Sequence, residues 1–182
     1  GYGIGMGTVI DRAVYSGFYG HAGEIGHIPL GEPGLPCYCG GHSCLENTAS
    51  GSGIERMARE MGLVHGNKVL SVFDIADLAR QSDPKALEIW QKFSQALARG
   101  IGTIITLFNP EAVILAGRFT RCADVFFDAT MEHLRQTTFP ALLEETTIKV
   151  SDLKENAGPL GTCASVLHHI FYASHIPAEA VV

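Results

Sequence analysis

Apolar residues recur at helical spacing through the middle of the chain. Asp83-Pro84 is a strong start signal, because the aspartate can cap a helix and proline suits its first position. Asn109-Pro110 ends the pattern. The sequence therefore predicts one long helix, with Trp90 and Phe93 in the core or in subunit contacts. Its apolar stripe comprises Leu87, Trp90, Leu97, Ile101, Ile104 and Phe108.

Four shorter helices are predicted by the same spacing, and residues 63–70, between the first two, are expected to be a loop. The first is closed by Gly62, and Ser71 with Asp74 resembles a capping pair for the second. Their apolar positions are, in order, Ile54, Met57, Ala58 and Met61; Phe73, Ile75, Ala76, Leu78 and Ala79; Ala123, Phe127, Thr130, Met131 and Leu134; and Leu160, Ala164, Leu167 and Phe171.

Extended segments alternate with these helices. Residues 1–7 carry glycine at every odd position, which predicts a strand with one bare face, and residues 9–15 indicate a hairpin return. The continuous apolar run 112–116 is typical of a strand buried on both faces, and residues 147–150 alternate as a half-buried strand. Helices and strands in this order predict an α/β fold.

Composition narrows the functional classes. The chain is 46% hydrophobic and 18% charged, as expected for one compact unit. Its net charge of −6 and scattered basic residues argue against direct binding to nucleic acid. No apolar run is long enough to span a membrane, and no secretory segment is present, which indicates a reduced, cytoplasmic protein. Cys122 and Cys163 lie on apolar stretches and are expected to be small buried residues.

The first residue is not methionine, and the chain opens inside a predicted strand. We therefore expect it to be part of a longer protein whose other part lies upstream.

Three thiols and one imidazole lie within eighteen residues: His27, Cys37, Cys39 and Cys44. Thiolate sulfur with imidazole nitrogen is the ligand set of a closed tetrahedral zinc site. The intervening prolines and glycines exclude a long helix or strand, so this loop needs another source of order. The alternatives are a disulfide or three unrelated buried thiols, and His42 is a rival to His27 as the nitrogen ligand.

Residues 23–27 (Gly-Glu-Ile-Gly-His) and the run Cys37-x-Cys39-Gly40-x3-Cys44-Leu45-Glu46 resemble the signature of the repressor, open-reading-frame and kinase (ROK) family. The resemblance extends from the glycine-rich start to Gly161. It implies a structural zinc ion on His27, Cys37, Cys39 and Cys44, in a zinc loop 27–44. Ser43 stands where the family usually has glycine.

The resemblance also implies a fold and a domain arrangement. Residues 1–182 would be the C-terminal lobe of an actin-like ATPase fold, the sugar-kinase and ribonuclease H-like architecture, with the zinc loop inserted. The first lobe, and a helix-turn-helix domain in repressors, would lie upstream.

Two carboxylates bracket the zinc loop. Glu24 lies three residues before His27, and Glu46 follows Cys44 by two. Carboxylates can hold neighbouring sugar hydroxyls, and a zinc-bound imidazole can offer its second nitrogen to a sugar. We therefore predict sugar contacts by Glu24, His27 and Glu46, the positions that the resemblance also implies. The alternative is that these are surface carboxylates at helix ends.

Kinases of this family bind ATP and Mg²⁺, and the resemblance implies nucleotide phosphates facing Gly3, Gly5 and Gly7. Gly117, at the end of a predicted strand, is a further candidate for the edge of that pocket. Tyr2 replaces a small threonine and Met6 replaces a glycine of the kinase pattern, whereas residues 156–161 are kinase-like.

The resemblance favours the sugar- or phosphosugar-sensing and oligomerisation part of a transcriptional repressor of carbohydrate genes. Such a protein would be a homodimer or tetramer, would bind DNA only through its upstream domain, and would take a sugar-transport signalling protein as a candidate partner. The alternative is the C-terminal half of an ATP-dependent kinase for glucose, fructose or an N-acetylhexosamine. A third reading is a zinc-held scaffold that binds no ligand.

Overall fold

The computed structural model describes residues 3–31, 34–65, 68–153 and 156–171, and the account below concerns those residues. Tyr2, one of the departures from the kinase pattern, lies outside them. The strands are β1 Thr8–Ile10, β2 Ala13–Tyr15, β3 Val64–His65, β4 Lys68–Val69, β5 Ala112–Leu115 and β6 Thr147–Val150. The helices are α1 Leu45–Ala49, α2 Gly51–Glu60, α3 Val72–Arg80, α4 Pro84–Phe108, α5 Ala123–Thr137, α6 Pro140–Glu145 and α7 Ala157–Phe171.

Helix α4 is the long helix that the sequence predicts, and the core forms around it. Asp83 caps its first turn by accepting from the Lys85 and Ala86 N–H groups, and Asn109 ends it in the left-handed conformation. Helices α1, α2, α3 and α5 all pack against it. Trp90 is fully buried as predicted, whereas the predicted stripe residue Leu87 is half exposed near the helix start.

An aromatic cluster joins α4 to α5. Trp90 stacks on Phe126 at 5.9 Å between ring centroids, and Phe93 meets Phe126 edge-on at 5.2 Å. Phe119 completes the cluster from the short 3₁₀ helix Arg118–Cys122. These residues are core and not a ligand platform, as the sequence indicated.

The strands form three small pairs among the described residues. β1 and β2 make the predicted hairpin, in which Asp11 and Arg12 adopt positive φ values at the turn. β5 and β6 pair in parallel, and β6 alternates in burial as predicted. The prediction that β5 is buried on both faces is wrong: Ala112 and Ile114 are exposed, so one face of β5 is uncovered among the described residues.

Several other predictions need correction. Residues 3–7 are not a strand, since the N–H groups of Ile4 and Met6 donate to Glu46 and to Gly23 instead of to a neighbouring strand. Residues 63–70 include the β3–β4 hairpin and are not simply a loop. Cys122 is buried, but Cys163 is exposed on α7. Helices α1 and α6 were not predicted, because each is too short to show a helical period.

No helix within the described ranges is both long and apolar enough to cross a membrane.

Candidate functional site

Four side chains of the loop after the β1–β2 hairpin converge on one point. The ligand atoms of His27, Cys37, Cys39 and Cys44 lie within 4.8 Å of one another. The Cys39 and Cys44 sulfurs are 3.6 Å apart, and His27 Nδ1 is 3.6 Å from the Cys37 sulfur. Two sulfurs bound to one tetrahedral zinc ion would be about 3.8 Å apart. The spacing and the donor types therefore fit a metal ion, and this cluster can hold one.

Backbone hydrogen bonds bring the two ends of the loop together. The Leu30 N–H donates to the Ser43 carbonyl and the Leu45 N–H donates to the Ile28 carbonyl, each at 2.9 Å. This short antiparallel contact sets His27, which ends a 3₁₀ turn, beside Cys44, which immediately precedes α1. Ser43 lies within the contact at φ +55°, so this serine holds a conformation that favours glycine.

A tight turn carries the other two thiols. The Cys37 N–H donates to the Gly41 carbonyl at 2.8 Å, and the Gly40 N–H donates back to the Cys37 carbonyl at 3.0 Å. Cys39 lies at the tip of this turn, where its sulfur accepts the Gly41 N–H at 3.4 Å. A loop too rich in proline and glycine for regular structure thus presents its thiols on one side.

The structure bears on the alternatives that the sequence left open for these residues. All five cysteines are free, so no disulfide joins the thiols of the loop. His27 and not His42 is the nitrogen donor of the cluster. Residues 36 and 42 instead form an isolated backbone bridge across the turn.

The thiols of the cluster differ in how readily they ionise. Burial, followed by the neighbouring thiols, raises the pKa of Cys44 to about 12. The Gly41 N–H lowers the pKa of Cys39. The two shifts oppose each other because Cys44 is buried, whereas the exposed Cys39 accepts a backbone N–H, and the hydrogen bonds between the thiols add to both shifts. A bound divalent cation would favour the thiolate form of all three cysteines.

Glu46 is the buried carboxylate of the site. It lies in the first turn of α1 with 9% of its surface exposed. Its Oε2 accepts the Ile4 N–H at 2.9 Å, so the glycine-rich segment orients it. A Cβ on Gly3 would lie 2.5 Å from the same oxygen, so a larger residue there would have to displace the Glu46 carboxylate. The sequence did not reveal this contact, because it joins residues 42 positions apart.

The ring of His27 divides its two nitrogens between two environments. Nδ1 faces Cys37 and the metal cluster, whereas Nε2 lies 3.8 Å from Glu24 Oε2 and 3.1 Å from the Tyr38 hydroxyl. Glu24 is mostly exposed, so this second environment is open to solvent. The structure therefore brings Glu24 and His27 together, as the sequence predicted. Tyr38 was not predicted as a site residue, although its position between Cys37 and Cys39 was a signal.

The predicted phosphate-facing glycines do not all line the same cavity. Gly3, Gly5 and Gly7 line a cavity of about 380 Å³ between the glycine-rich segment, α4 and β5. Gly117 follows β5 but does not line this cavity. No charged side chain of the described residues lines it either, and much of the wall is apolar. A phosphate role for these glycines stays a prediction.

A family model described as ROK family matches residues 1–169. The chain belongs to the ROK family. The glucokinase of Thermotoga maritima is 32% identical over 180 residues, which cover 93% of this chain and 57% of that protein. The xylose repressor of Bacillus spizizenii is 30% identical over 167 residues, which cover 92% of this chain and 42% of the repressor.

Among solved structures, a ROK hexokinase from Thermus thermophilus has a TM-score of 0.78 at 27% identity, covering 90% of this chain and 55% of that one. The predicted fold is therefore confirmed: the chain is mixed α/β and shares the actin-like ATPase fold of ROK sugar kinases. It spans about half the length of the relatives it matches. Those relatives include both kinases and repressors.

Proposed function

We propose that this ROK chain is the C-terminal, sugar-recognising lobe of a longer protein, organised by a structural zinc ion. The observation that carries the proposal is the divided ring of His27, with Nδ1 on the thiol cluster and Nε2 on the open side next to Glu24. One residue then links the metal to the recognition of a hydroxyl.

Zinc is the metal that this donor set favours, because three soft thiolates and an imidazole suit tetrahedral zinc. His27, Cys37, Cys39 and Cys44 would hold it. When bound, it supplies a cross-link between the start of the loop, its turn and the first turn of α1. It would also fix the His27 tautomer, leaving the ring proton on Nε2.

Glu24, His27 and Glu46 are the proposed sugar contacts. A carboxylate accepts hydrogen bonds from sugar hydroxyls, and the Nε2–H of His27 donates one, so a neighbouring pair of hydroxyls satisfies both kinds of group. Glu46 is already oriented by the Ile4 N–H, so it loses little conformational freedom when a sugar binds. Glu46 is thus a buried acceptor, whereas Glu24 is a mostly exposed acceptor beside the His27 imidazole.

Within this family we favour a repressor of carbohydrate genes over a kinase. A kinase needs a general base for the sugar hydroxyl, and the family resemblance puts that aspartate upstream of this chain. Met6 occupies a glycine position of the kinase pattern, whereas residues 156–161 resemble the kinases. The sensing lobe would act in the cytoplasm, as a homodimer or tetramer, with DNA contacts upstream and a sugar-transport signalling protein as a candidate partner.

Substitution of the two carboxylates tests the sugar site. We expect Glu24→Ala and Glu46→Ala in the full-length protein to abolish hexose binding in calorimetry, because each removes acceptors for sugar hydroxyls. Glu88→Ala is the matched control, since Glu88 pairs with Lys92 on the surface of α4. Zinc content should be unchanged in all three. Hexose affinity equal to that of the wild type in both site variants would refute the assignment.

Nucleotide turnover separates the two functions. We expect no hexose-dependent release of ADP from ATP by the full-length protein, with sugar binding still measurable. Turnover that disappears in the Glu24→Ala variant would establish the kinase alternative instead. ATP and Mg²⁺ would then be its cofactors.

A further inference from the structure

The outward nitrogen of His27 is covered by a tyrosine of the same loop. Tyr38 Oη lies 3.1 Å from His27 Nε2, and the two rings meet edge-on at 88° with 5.1 Å between centroids. Tyr38 is nevertheless 82% exposed. Its phenol therefore rests against the imidazole from the solvent side.

Only one acceptor can take the proton of that nitrogen. Nδ1 faces the thiol cluster, so a metal ion bound there would leave the ring proton on Nε2, which is then a donor with a single N–H. The Tyr38 oxygen is placed to accept it. A sugar hydroxyl read by His27 requires the same proton.

The tyrosine side chain can leave without disturbing the metal ligands. Its neighbours Cys37 and Cys39 fix the backbone through the turn closed by Gly41. The ring itself is held by the contact with His27, its hydroxyl also interacts with the carboxylate of Glu46, and the rest of the side chain is largely in water. Rotation about the Cα–Cβ bond would uncover Nε2 while both sulfurs stay in position.

We propose that Tyr38 is a gate on the sugar site: its hydroxyl occupies His27 Nε2 in the ligand-free state, and a sugar hydroxyl binds by displacing it. This inference rests on the proposed function, because it assigns regulation to the same site. The gate lowers affinity for every ligand that uses Nε2. It leaves unchanged the affinity for a ligand that lacks the corresponding hydroxyl.

Removal of the phenolic oxygen tests the gate. Tyr38→Phe keeps the ring but frees Nε2, so we expect the full-length protein to bind D-glucose, D-xylose, D-fructose or N-acetyl-D-glucosamine, whichever the wild type prefers, about 2- to 10-fold more tightly. Calorimetry gives the affinity, and zinc content and melting temperature verify the fold. Tyr19→Phe is the matched control, since Tyr19 is 81% exposed and its ring contacts Phe18.

Affinities for deoxy sugars distinguish a gate from a purely structural role of Tyr38. Among the monodeoxy analogues of the preferred sugar, we expect the one lacking the hydroxyl that His27 binds to show equal affinity for wild type and Tyr38→Phe. The other analogues should keep the gain. Tyr38→Ala, which removes the ring as well, should show at least the same gain.

Failure of the gate and failure of the site are distinguishable. Sugar binding by the wild type with unchanged or weaker binding by Tyr38→Phe would overturn the gate alone. Weaker binding would mean that the phenol contacts the sugar directly. Absence of binding in both proteins would overturn the proposed function and the gate with it, whereas binding only by Tyr38→Phe would support both.

Discussion

At the scale of single residues, the conformation of Gly23 determines the position of Glu24, the first carboxylate of the site. Gly23 has φ +95°, and a Cβ added there would lie 1.9 Å from the carbonyl oxygen of Met6. Its own carbonyl accepts the Met6 N–H at 2.8 Å, so the glycine-rich segment and the start of the site are held in contact. Glu24 follows directly and depends on this contact for its position.

We expect Gly23→Ala to lower the free energy of unfolding by more than about 2 kcal/mol, since the strain of a positive φ adds to a clash with backbone. Gly20→Ala is the control: Gly20 has φ +78° but open space around its Cβ position. It should cost only the strain, about 1 to 2 kcal/mol. Urea denaturation of both variants measures the difference, and equal losses would contradict the role of the Met6 contact.

The thiol cluster gives a second prediction at this scale. Cys44→Ser should release the metal, because a serine hydroxyl is a poor zinc ligand and Cys44 is one of the four side chains of the cluster. Metal analysis should find about one zinc ion in the wild type and in Cys163→Ser, which changes an exposed cysteine elsewhere. Lowering the pH should release zinc from the wild type too, since protons compete for the thiolates. Full zinc content in Cys44→Ser would exclude it as a ligand.

The sequence predicted the site residues that act through their own chemistry and missed those that depend on contacts. His27 and the three cysteines were predictable because thiols and imidazole are rare and closely spaced. The Ile4 N–H on Glu46 was not, since it joins residues 42 positions apart, and backbone donors leave no signal in the residue type. Tyr38 required knowledge of the direction of the His27 ring.

At the scale of elements, one arginine connects α3 to α5. Arg80 Nε and Nη2 each lie 2.7 Å from a carboxylate oxygen of Asp124, and Nη1 binds Asp77 on its own helix. These hydrogen bonds from Arg80 hold the pKa of Asp124 below its ordinary value of 3.8. The pair is partly exposed, so solvent screening limits its contribution.

We expect Asp124→Asn to lower the free energy of unfolding by about 0.5 kcal/mol at pH 7. A carboxylate whose pKa is depressed by folding stabilises the protein above pH 3.8 and loses that effect as the pH falls through its folded pKa. The difference between wild type and variant should therefore be constant above pH 5 and fade below pH 3.8. Denaturation at several pH values, with Glu88→Gln as a control, measures it. A difference that grows on acidification would contradict this account.

Elements with their own start and stop signals were the predictable ones. Asp83-Pro84 and Asn109-Pro110 delimit α4, and the capping box of Ser71 with Asp74 begins α3, as the structure confirms. The five residues of α1 are too few to show a period, and their place is set by α4 and by Cys44, which precedes them. The burial of β5 was mispredicted for a related reason. An apolar run shows that a strand can be buried on both faces, but it does not show whether another element covers each face.

At the scale of the whole molecule, the described structure leaves apolar surface uncovered. Ile114 on β5 is half exposed, and the cavity of about 380 Å³ beside β5 has a largely apolar wall. Helix α7 exposes a further set of large apolar side chains, Leu160, Val166, Leu167, Ile170 and Phe171. A folded monomer seldom leaves large apolar patches in water.

The proposed upstream lobe accounts for this surface, because the chain spans about half the length of its ROK relatives. We expect residues 1–182 alone to bind the dye ANS strongly, and the full-length protein to bind it only weakly, since the first lobe would cover these side chains. Leu167→Glu on α7 should reduce dye binding by the isolated chain but destabilise the full-length protein. Lys149→Glu is the control, because it changes charge on β6 without replacing an apolar side chain. Equal dye binding by the isolated chain and the full-length protein would show that the upstream lobe does not cover this surface.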